Sequence, residues 1–125
     1  MLLVKGRVIR GEGYGGQQGY PTANLDRRYF QRHPVPSGVY AAWAELGKNR
    51  YQAIVIIGVP FVRDKRKRKI EVYLLDYTGN ARGRQLEARI VKKIRPIKTF
   101  SSQAPLLREI RRDVSRAKKI LRDNQ

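Results

Sequence analysis

The sequence predicts a mainly β protein, a closed or sandwich-like antiparallel barrel followed by one C-terminal helix. Four to six runs of strand length occur without a helical pattern between them, which is typical of barrels and sandwiches. A single amphipathic pattern then follows these runs. The length of 125 residues is that of one domain.

The predicted strands are rich in apolar and β-branched residues and are separated by turn-forming residues. They cover residues 2–10, 38–46, 50–59, 69–77 and 85–94. The tripeptide Gly47-Lys48-Asn49 supplies the turn of a hairpin between the second and third strands. In the last strand every second residue from Leu86 to Ile90 is apolar, as one buried and one exposed face require.

The helix is predicted at about residues 102–122. Ser101 and Ser102 offer an N-cap, and Pro105 falls in the first turn, where its missing N–H is tolerated. Six apolar residues fall on one face, while basic residues cover the other: Leu106, Leu107, Ile110, Val114, Ala117 and Leu121. We expect this helix to plug a barrel of about residues 1–100, in a single domain over residues 1–125.

The composition argues against several kinds of chemistry. The chain has no cysteine, which removes disulfides, thiolate zinc sites and cysteine nucleophiles. Its one histidine, His33, argues against histidine metal sites and Ser-His pairs. The apolar runs are too short to span a bilayer. These features predict a cytoplasmic protein without a membrane partner.

Basic residues dominate, with 28 Lys and Arg against 10 Asp and Glu and a formal net charge of +18. The excess lies mainly in residues 63–125, and six of the seven residues 63–69 are basic. Such charge predicts polyanionic partners: a phosphate-bearing substrate, an anionic membrane, or RNA bound without specificity. A solvated basic surface is the simpler interpretation, and we expect residues 63–69 to form a solvated loop tip.

Two neighbouring segments lie outside the strand pattern. Residues 11–19 contain five glycines, which let backbone N–H groups approach an anion, although hairpin turns often have the same composition. Thr22 and Asn24 lie two residues apart, so their oxygens point to the same side in extended backbone. These oxygens suit Mg²⁺ when nucleotide phosphates complete its shell, but on spacing alone a turn is the better interpretation.

The third candidate is Glu71, a carboxylate within an apolar strand. Its side chain faces opposite to those of Ile70, Val72 and Leu74. It therefore lines either solvent or a polar pocket, and a surface glutamate is the commoner case.

Taken in order along the chain, these segments resemble the riboflavin kinase family. The resemblance is carried by the glycine-rich opening, a Pro-Thr-Ala-Asn box at residues 21–24, an Ile-Glu-Val-Tyr-Leu-Leu-Asp strand at 70–76 and an Ile-Arg-Pro-Ile-Lys-Thr-Phe box at 94–100. Further matching positions are Gly6, Val8, Gly38, Gly58, Ile110, Asp113 and Ala117. The resemblance covers nearly the whole chain, and the two boxes are specific.

The resemblance implies a six-stranded antiparallel Greek-key barrel with a C-terminal α-helix. It implies an ATP:riboflavin 5′-phosphotransferase, a kinase that transfers the ATP γ-phosphoryl group to the ribityl 5′-hydroxyl of riboflavin to give FMN. The implied cofactor is Mg²⁺ or another divalent cation, with ATP as the phosphoryl donor. One carboxylate is sufficient for this transfer, because a base mainly orients the hydroxyl and takes its proton late.

The resemblance also gives each candidate residue a role. Glu71 matches the catalytic base, and Thr22 and Asn24 match the ligands of Mg²⁺–ATP. A glycine-rich flap and the end of the catalytic strand would bind the nucleotide: Gly11, Gly13, Gly15, Gly16, Leu74, Asp76 and Arg82. A loop on the flavin side would carry three more residues: Arg95, Lys98 and Phe100.

Two alternatives are a non-catalytic basic barrel that binds RNA and a degenerate flavin-binding domain. RNA-binding barrels place exposed aromatic residues on strands for base stacking, whereas Tyr14, Tyr20 and Phe100 lie in predicted loops here. The intact Pro-Thr-Ala-Asn box and Glu71 argue against a degenerate domain. We therefore expect a monomeric kinase that acts on riboflavin and ATP.

Overall fold

Six strands form one closed antiparallel barrel in the computed structural model, which describes residues 2–10, 22–58 and 69–124. The strands are β1 (Leu3–Arg10), β2 (Thr22–Leu25), β3 (Gly38–Leu46), β4 (Asn49–Gly58), β5 (Lys69–Leu74) and β6 (Gln85–Arg95). The helices are α1 (Arg28–Arg32) and α2 (Gln103–Asp123). The predictions for the glycine-rich flap and for the basic residues 63–68 lie outside the described residues.

The order of strands around the barrel is β1-β2-β5-β4-β3-β6, and β6 pairs with β1 to close it. Strands β3, β4 and β5 follow one another as antiparallel neighbours, and β6 returns to lie beside β3. This arrangement is a Greek key. The predicted six-stranded antiparallel Greek-key barrel with a C-terminal helix is confirmed.

Alternate side chains of every strand fill the barrel interior. Small and branched residues such as Ala42, Val55 and Leu86 form this interior cluster. Phe30 of α1 and Val35 belong to the same cluster. The segment between β2 and β3 therefore contributes to the interior, which no sequence pattern predicted.

Helix α2 packs on the outer face of the barrel and does not plug it. Leu106, Ile110 and Leu121 form a second cluster with Ile54 and Ile56, whose side chains point away from the interior. The predicted apolar face of the helix is confirmed, but its expected position is wrong, because the barrel's own side chains already fill the interior.

The boundaries of several elements differ from their predictions. Strand β5 ends at Leu74 rather than at residue 77, because the chain turns there and Asp76 adopts a φ of 59°. Ser102 occupies the N-cap position of α2, but its side chain makes no capping hydrogen bond. The sequence does not predict β2 or α1, since four and five residues are too few for a periodic pattern.

Gly6 is required by a close approach between β1 and the backbone after β2. A Cβ atom at this position would lie 2.7 Å from the Asp26 carbonyl oxygen. Gly6→Ala is expected to lower the free energy of unfolding by about 1–3 kcal/mol, because the backbone must shift. Denaturant unfolding would measure this loss, with Arg7→Ala at the neighbouring exposed position as a control. Equal stability of the Gly6 variant and the parent would contradict the prediction.

Candidate active site

The outward-facing side of β2 and β5 brings together the residues predicted for metal binding and base catalysis. Asn24 pairs directly with Glu71, and Thr22 pairs with Tyr73. The intervening Ala23 belongs to the barrel interior, so these four side chains leave the sheet on its other side. Residues opposite each other in such a pair have Cβ atoms about 4.5–5.5 Å apart. Thr22, Asn24 and Glu71 therefore share one site.

Glu71 is buried, with 6% of its surface exposed. It lies between Asn24 on β2 and Ile56 on β4 in the strand register. The commoner case of a surface glutamate is therefore wrong here, and the carboxylate lies within the protein. Burying a carboxylate is unfavourable unless polar groups compensate, so this position is a candidate for chemistry.

The amide oxygen of Asn24 is the second unusual feature of this site. Asn24 Oδ1 is buried and has no hydrogen-bond partner among the described residues. An unsatisfied buried acceptor is destabilising, and a hard cation would satisfy it. No three His, Asp or Glu side chains in the described ranges group into a metal site of their own. The residues present therefore fit a cation whose remaining oxygen ligands come from a bound nucleotide and water.

Tyr73 is a neighbour of Glu71 that sequence reasoning missed. It lies two residues further along β5 on the same side of the strand and is 3% exposed. Burial raises the pKa of its hydroxyl, and the negative charges of Glu71 and Asp113 raise it further. The phenol therefore remains protonated at neutral pH. Its two-residue spacing from Glu71 was the signal that could have identified it.

A small pocket of about 80 Å³ brings together three of the predicted nucleotide-binding residues. Thr22, Leu74 and Arg82 all line it, together with residues 79–81. Leu74 is buried in the barrel interior, so its side chain offers only apolar contact. Asp76 does not join this pocket and instead pairs with Lys118 of α2 at 3.5 Å.

The predicted flavin-side residues lie in and after β6 and are tied to α2. The Arg95 guanidinium donates a bidentate pair of hydrogen bonds to the Asp113 carboxylate, with Nε–Oδ1 and Nη2–Oδ2 distances of 2.9 and 2.8 Å. This ion pair is almost fully buried, with side-chain exposures of 9% and 0%. Phe100 is partly buried against the cluster beneath α2. Arg95 therefore has a structural role in fixing the end of β6 to the helix.

Lys98 extends the same ionic network to Glu109. Its ammonium group donates a hydrogen bond of 3.0 Å to Glu109 Oε1, and this bond holds the pKa of that carboxyl below its usual value. Arg116 contacts both Glu109 and Asp113 at 3.3 Å. Since the Lys98 side chain is 56% exposed, it remains accessible to a ligand in a way that Arg95 is not.

The residues predicted for catalysis and flavin binding lie on one row across the barrel. The register joins Asn24, Glu71, Ile56, Val39 and Arg95 as successive neighbours on β2, β5, β4, β3 and β6. Glu71 and Arg95 are therefore three strands apart, about 14 Å along the sheet. The structure brings Thr22, Asn24 and Glu71 together, and Arg95 is linked to them through Asp113, whose charge acts on Tyr73 beside Glu71.

The barrel is shared with a solved enzyme of flavin metabolism. The structure of riboflavin kinase from Trypanosoma brucei superposes with a TM-score of 0.68, covering 96% of this chain and 79% of that chain at 22% sequence identity. This likeness shows a riboflavin kinase-like fold.

Sequence comparisons define the family. The flavokinase (riboflavin kinase) family model matches residues 1–121. The chain is 31% identical to an RNA-binding riboflavin kinase of Bacillus subtilis, covering 92% of this chain and 49% of that protein. It is 33% identical to a riboflavin kinase of Mus musculus, covering 96% of this chain and 81% of that protein. The chain therefore belongs to the riboflavin kinase family. It spans about half the length of the Bacillus relative.

Proposed function

We propose that this chain transfers the γ-phosphoryl group of ATP to the ribityl 5′-hydroxyl of riboflavin, giving FMN. The observation that carries the proposal is the buried Glu71 carboxylate directly opposite Asn24 and its unsatisfied amide oxygen. A base beside a cation ligand is the pairing that phosphoryl transfer to an alcohol requires. Membership of the riboflavin kinase family supports the choice of substrate.

Glu71 acts on the attacking hydroxyl in this mechanism. Its carboxylate accepts a hydrogen bond from the ribityl 5′-hydroxyl and orients the oxygen toward the γ-phosphorus. It takes the proton as the new P–O bond forms and the bond from the γ-phosphorus to the ADP leaving group breaks. The buried position keeps competing water away from the carboxylate. Because Tyr73 stays protonated, it does not compete with Glu71 as a base.

Thr22 and Asn24 would hold the divalent cation. When bound, such a cation neutralises the charge that develops on the phosphate oxygens. The two side chains supply neutral oxygens, so they hold the cation weakly unless nucleotide phosphates are also present. The pocket beside Thr22 places Leu74 and Arg82 next to this position, where we propose that they contact the nucleotide.

The flavin would bind toward the loop between β6 and α2. We propose that Lys98 and Phe100 contact it directly, and that Arg95 holds the loop in position through Asp113. Asp76 is the weakest of the nucleotide-binding proposals, because it pairs with Lys118 away from the pocket. The four glycines of the flap remain proposals on sequence grounds alone.

The alternative of a non-catalytic RNA-binding barrel does not account for Glu71. Contacts with nucleic acid use exposed cations and, for single strands, stacking surfaces, and a buried carboxylate contributes neither. The Bacillus relative is an RNA-binding riboflavin kinase, so RNA binding does not require the loss of kinase activity.

The proposed enzyme acts as a monomer in the cytoplasm, where ATP is available. Among the described residues, neither helix combines the length and apolar character needed to cross a membrane.

The test is direct conversion of riboflavin. The purified chain is incubated with riboflavin, ATP and Mg²⁺, and the products are separated by chromatography. FMN should appear in step with the loss of riboflavin and should require both ATP and the cation. Riboflavin binding without FMN formation would support the degenerate domain, while the absence of both would overturn the proposal.

Thr22→Val and Asn24→Ala should each raise the Mg²⁺–ATP concentration needed for half-maximal rate. Removing a residue that only hydrogen-bonds to a metal ligand typically lowers metal affinity about 10–100-fold. Removing a ligand itself should therefore lower the affinity for Mg²⁺–ATP about tenfold or more. Riboflavin binding without nucleotide, followed by fluorescence quenching, should be nearly unchanged. Asn124→Ala on the exposed end of α2 is the control. An equal loss of flavin affinity would show that the box is only structural.

A further inference from the structure

Helix α2 separates its charges by sign. Glu109 and Asp113 are buried, and of its acidic residues only Asp123, at the C-terminal end of the helix, is exposed. The seven basic residues of the helix are all exposed: Arg108, Arg111, Arg112, Arg116, Lys118, Lys119 and Arg122. An ordinary solvated helix intersperses charges of both signs on its outer surface. Here the outward surface is almost entirely cationic.

Four of these cations have no compensating charge in the part of the chain that the structure describes. Arg116 is engaged with Glu109 and Asp113, Lys118 pairs with Asp76, and Arg122 lies 3.8 Å from the neighbouring Asp123. No described carboxylate forms an ion pair with the remaining four: Arg108, Arg111, Arg112 and Lys119.

These four residues and Arg122 form a straight stripe. At 100° and 1.5 Å per residue, they occupy an arc of about 100° and a length of about 21 Å. We call this stripe the basic face of α2. It lies opposite the apolar residues that pack on the barrel, and it includes none of the residues proposed to bind nucleotide or flavin.

We propose that the basic face of α2 is a docking surface for the phosphodiester backbone of a nucleic acid. A linear array of cations, four of the five uncompensated, matches a linear array of phosphates, and releasing the counterions of that polymer drives binding. The helix contains no aromatic residue that could stack on bases, so the contact should carry no sequence preference. This proposal is independent of the proposed kinase activity.

A membrane is a less suitable partner for the same charges. Amphipathic helices bind bilayers by inserting an apolar face between lipid headgroups. The apolar face of α2 is already buried against the barrel through Leu106, Ile110 and Leu121. Only electrostatic attraction would remain, so phosphate polymers are favoured over lipid surfaces.

The experiment measures binding of a labelled 20-base-pair RNA duplex, and of the DNA duplex of the same sequence, by fluorescence anisotropy between 50 and 200 mM salt. With five phosphate contacts, the logarithm of the association constant should fall against the logarithm of salt concentration with a slope of roughly −4 to −5. Changing all four uncompensated residues to glutamine should make that slope shallower by about 3 to 4 and weaken binding more than about 10²-fold at 50 mM salt.

A matched variant controls for net charge. Arg7, Arg32, Lys48 and Arg84 are exposed basic residues away from α2, and changing all four to glutamine removes the same charge. This control should keep most of the affinity. If it loses as much as the helix variant, binding follows overall charge and the proposal is wrong. The proposal is also wrong if serine substitutions at residues 65–69 abolish duplex binding while the helix variant still binds the duplex.

Further readouts separate the remaining outcomes. The helix variant should form FMN at the parental rate if the chain is a kinase. Its circular dichroism spectrum should match that of the parent. If the fourfold variant unfolds, the double variant Arg111→Gln with Arg112→Gln replaces it. Duplexes of different sequence should bind equally. Strong preference for one sequence, or binding to phosphatidylserine vesicles at 150 mM salt in place of either duplex, would overturn the proposal. Binding of RNA but not DNA would restrict it to RNA.

Discussion

Glu71→Gln is expected to lower the rate of FMN formation by a factor on the order of 10² to 10⁴, the usual contribution of a positioned general base. Glutamine keeps the size and hydrogen-bonding capacity of the side chain but cannot take a proton. Because Glu71 is only 6% exposed, a water molecule cannot readily take over the role of its carboxylate. The turnover number should therefore fall while riboflavin binding, followed by fluorescence quenching, stays close to that of the parent.

The matched control is Glu87→Gln. Glu87 also lies on a strand, but its side chain is 37% exposed and lies 3.8 Å from Arg89 in a surface ion pair. This variant should retain parental turnover. Parental turnover in the Glu71 variant, with the fold confirmed by circular dichroism, would refute the assignment of Glu71 as the base.

Asp113→Ala should produce the largest loss of stability among the changes considered. It removes the carboxylate from a pair whose side chains are 9% and 0% exposed, and it leaves the Arg95 guanidinium buried without its partner. Breaking such a pair typically costs 3–5 kcal/mol. For a domain of this size, that corresponds to a fall in Tm of roughly 10–20 °C. Thermal unfolding followed by circular dichroism measures it.

Two further variants show whether the unpaired charge is the cause. Asp123→Asn, at a side chain that is 59% exposed, should change the Tm by less than about 2 °C, because exposed ion pairs contribute little. Replacing both partners, Arg95→Met with Asp113→Leu, should recover much of the lost stability. If the double variant is as unstable as Asp113→Ala, lost packing rather than an unpaired charge explains the effect. If stability returns and riboflavin affinity does not, Arg95 positions the flavin-side loop as proposed.

The long periodic elements could be predicted from the sequence because their patterns reflect local burial. Apolar residues recur at every second position from Leu86 to Ile90 in strand β6 and at every third or fourth position of helix α2. The buried face of each element was therefore predicted correctly. The position of α2 outside the barrel could not be predicted, since amphipathicity reveals which face is buried but not what covers it. Strand β2 was missed because four residues contain too little pattern.

The candidate site was predicted in part, and the missing part depends on tertiary register. The spacing of Thr22 and Asn24 correctly placed their side chains on one side of the chain. That Asn24 lies opposite Glu71 depends on the pairing of β2 with β5, which are far apart in sequence. The burial of Glu71 depends on neighbouring strands as well, so a surface position was the reasonable expectation from sequence alone.

The closure of the barrel by β1 and β6 has a consequence for the order of events during synthesis. Leu3 pairs with Arg89, so β1 lacks one of its two neighbours until the last of the six strands has left the ribosome. At about 5–20 residues per second, the edge of β1 stays exposed for several seconds, during which nascent chains can pair with one another. We expect the refolding yield to fall as the protein concentration rises, because chains with an exposed β1 edge associate. This association should stop once β6 has paired with β1.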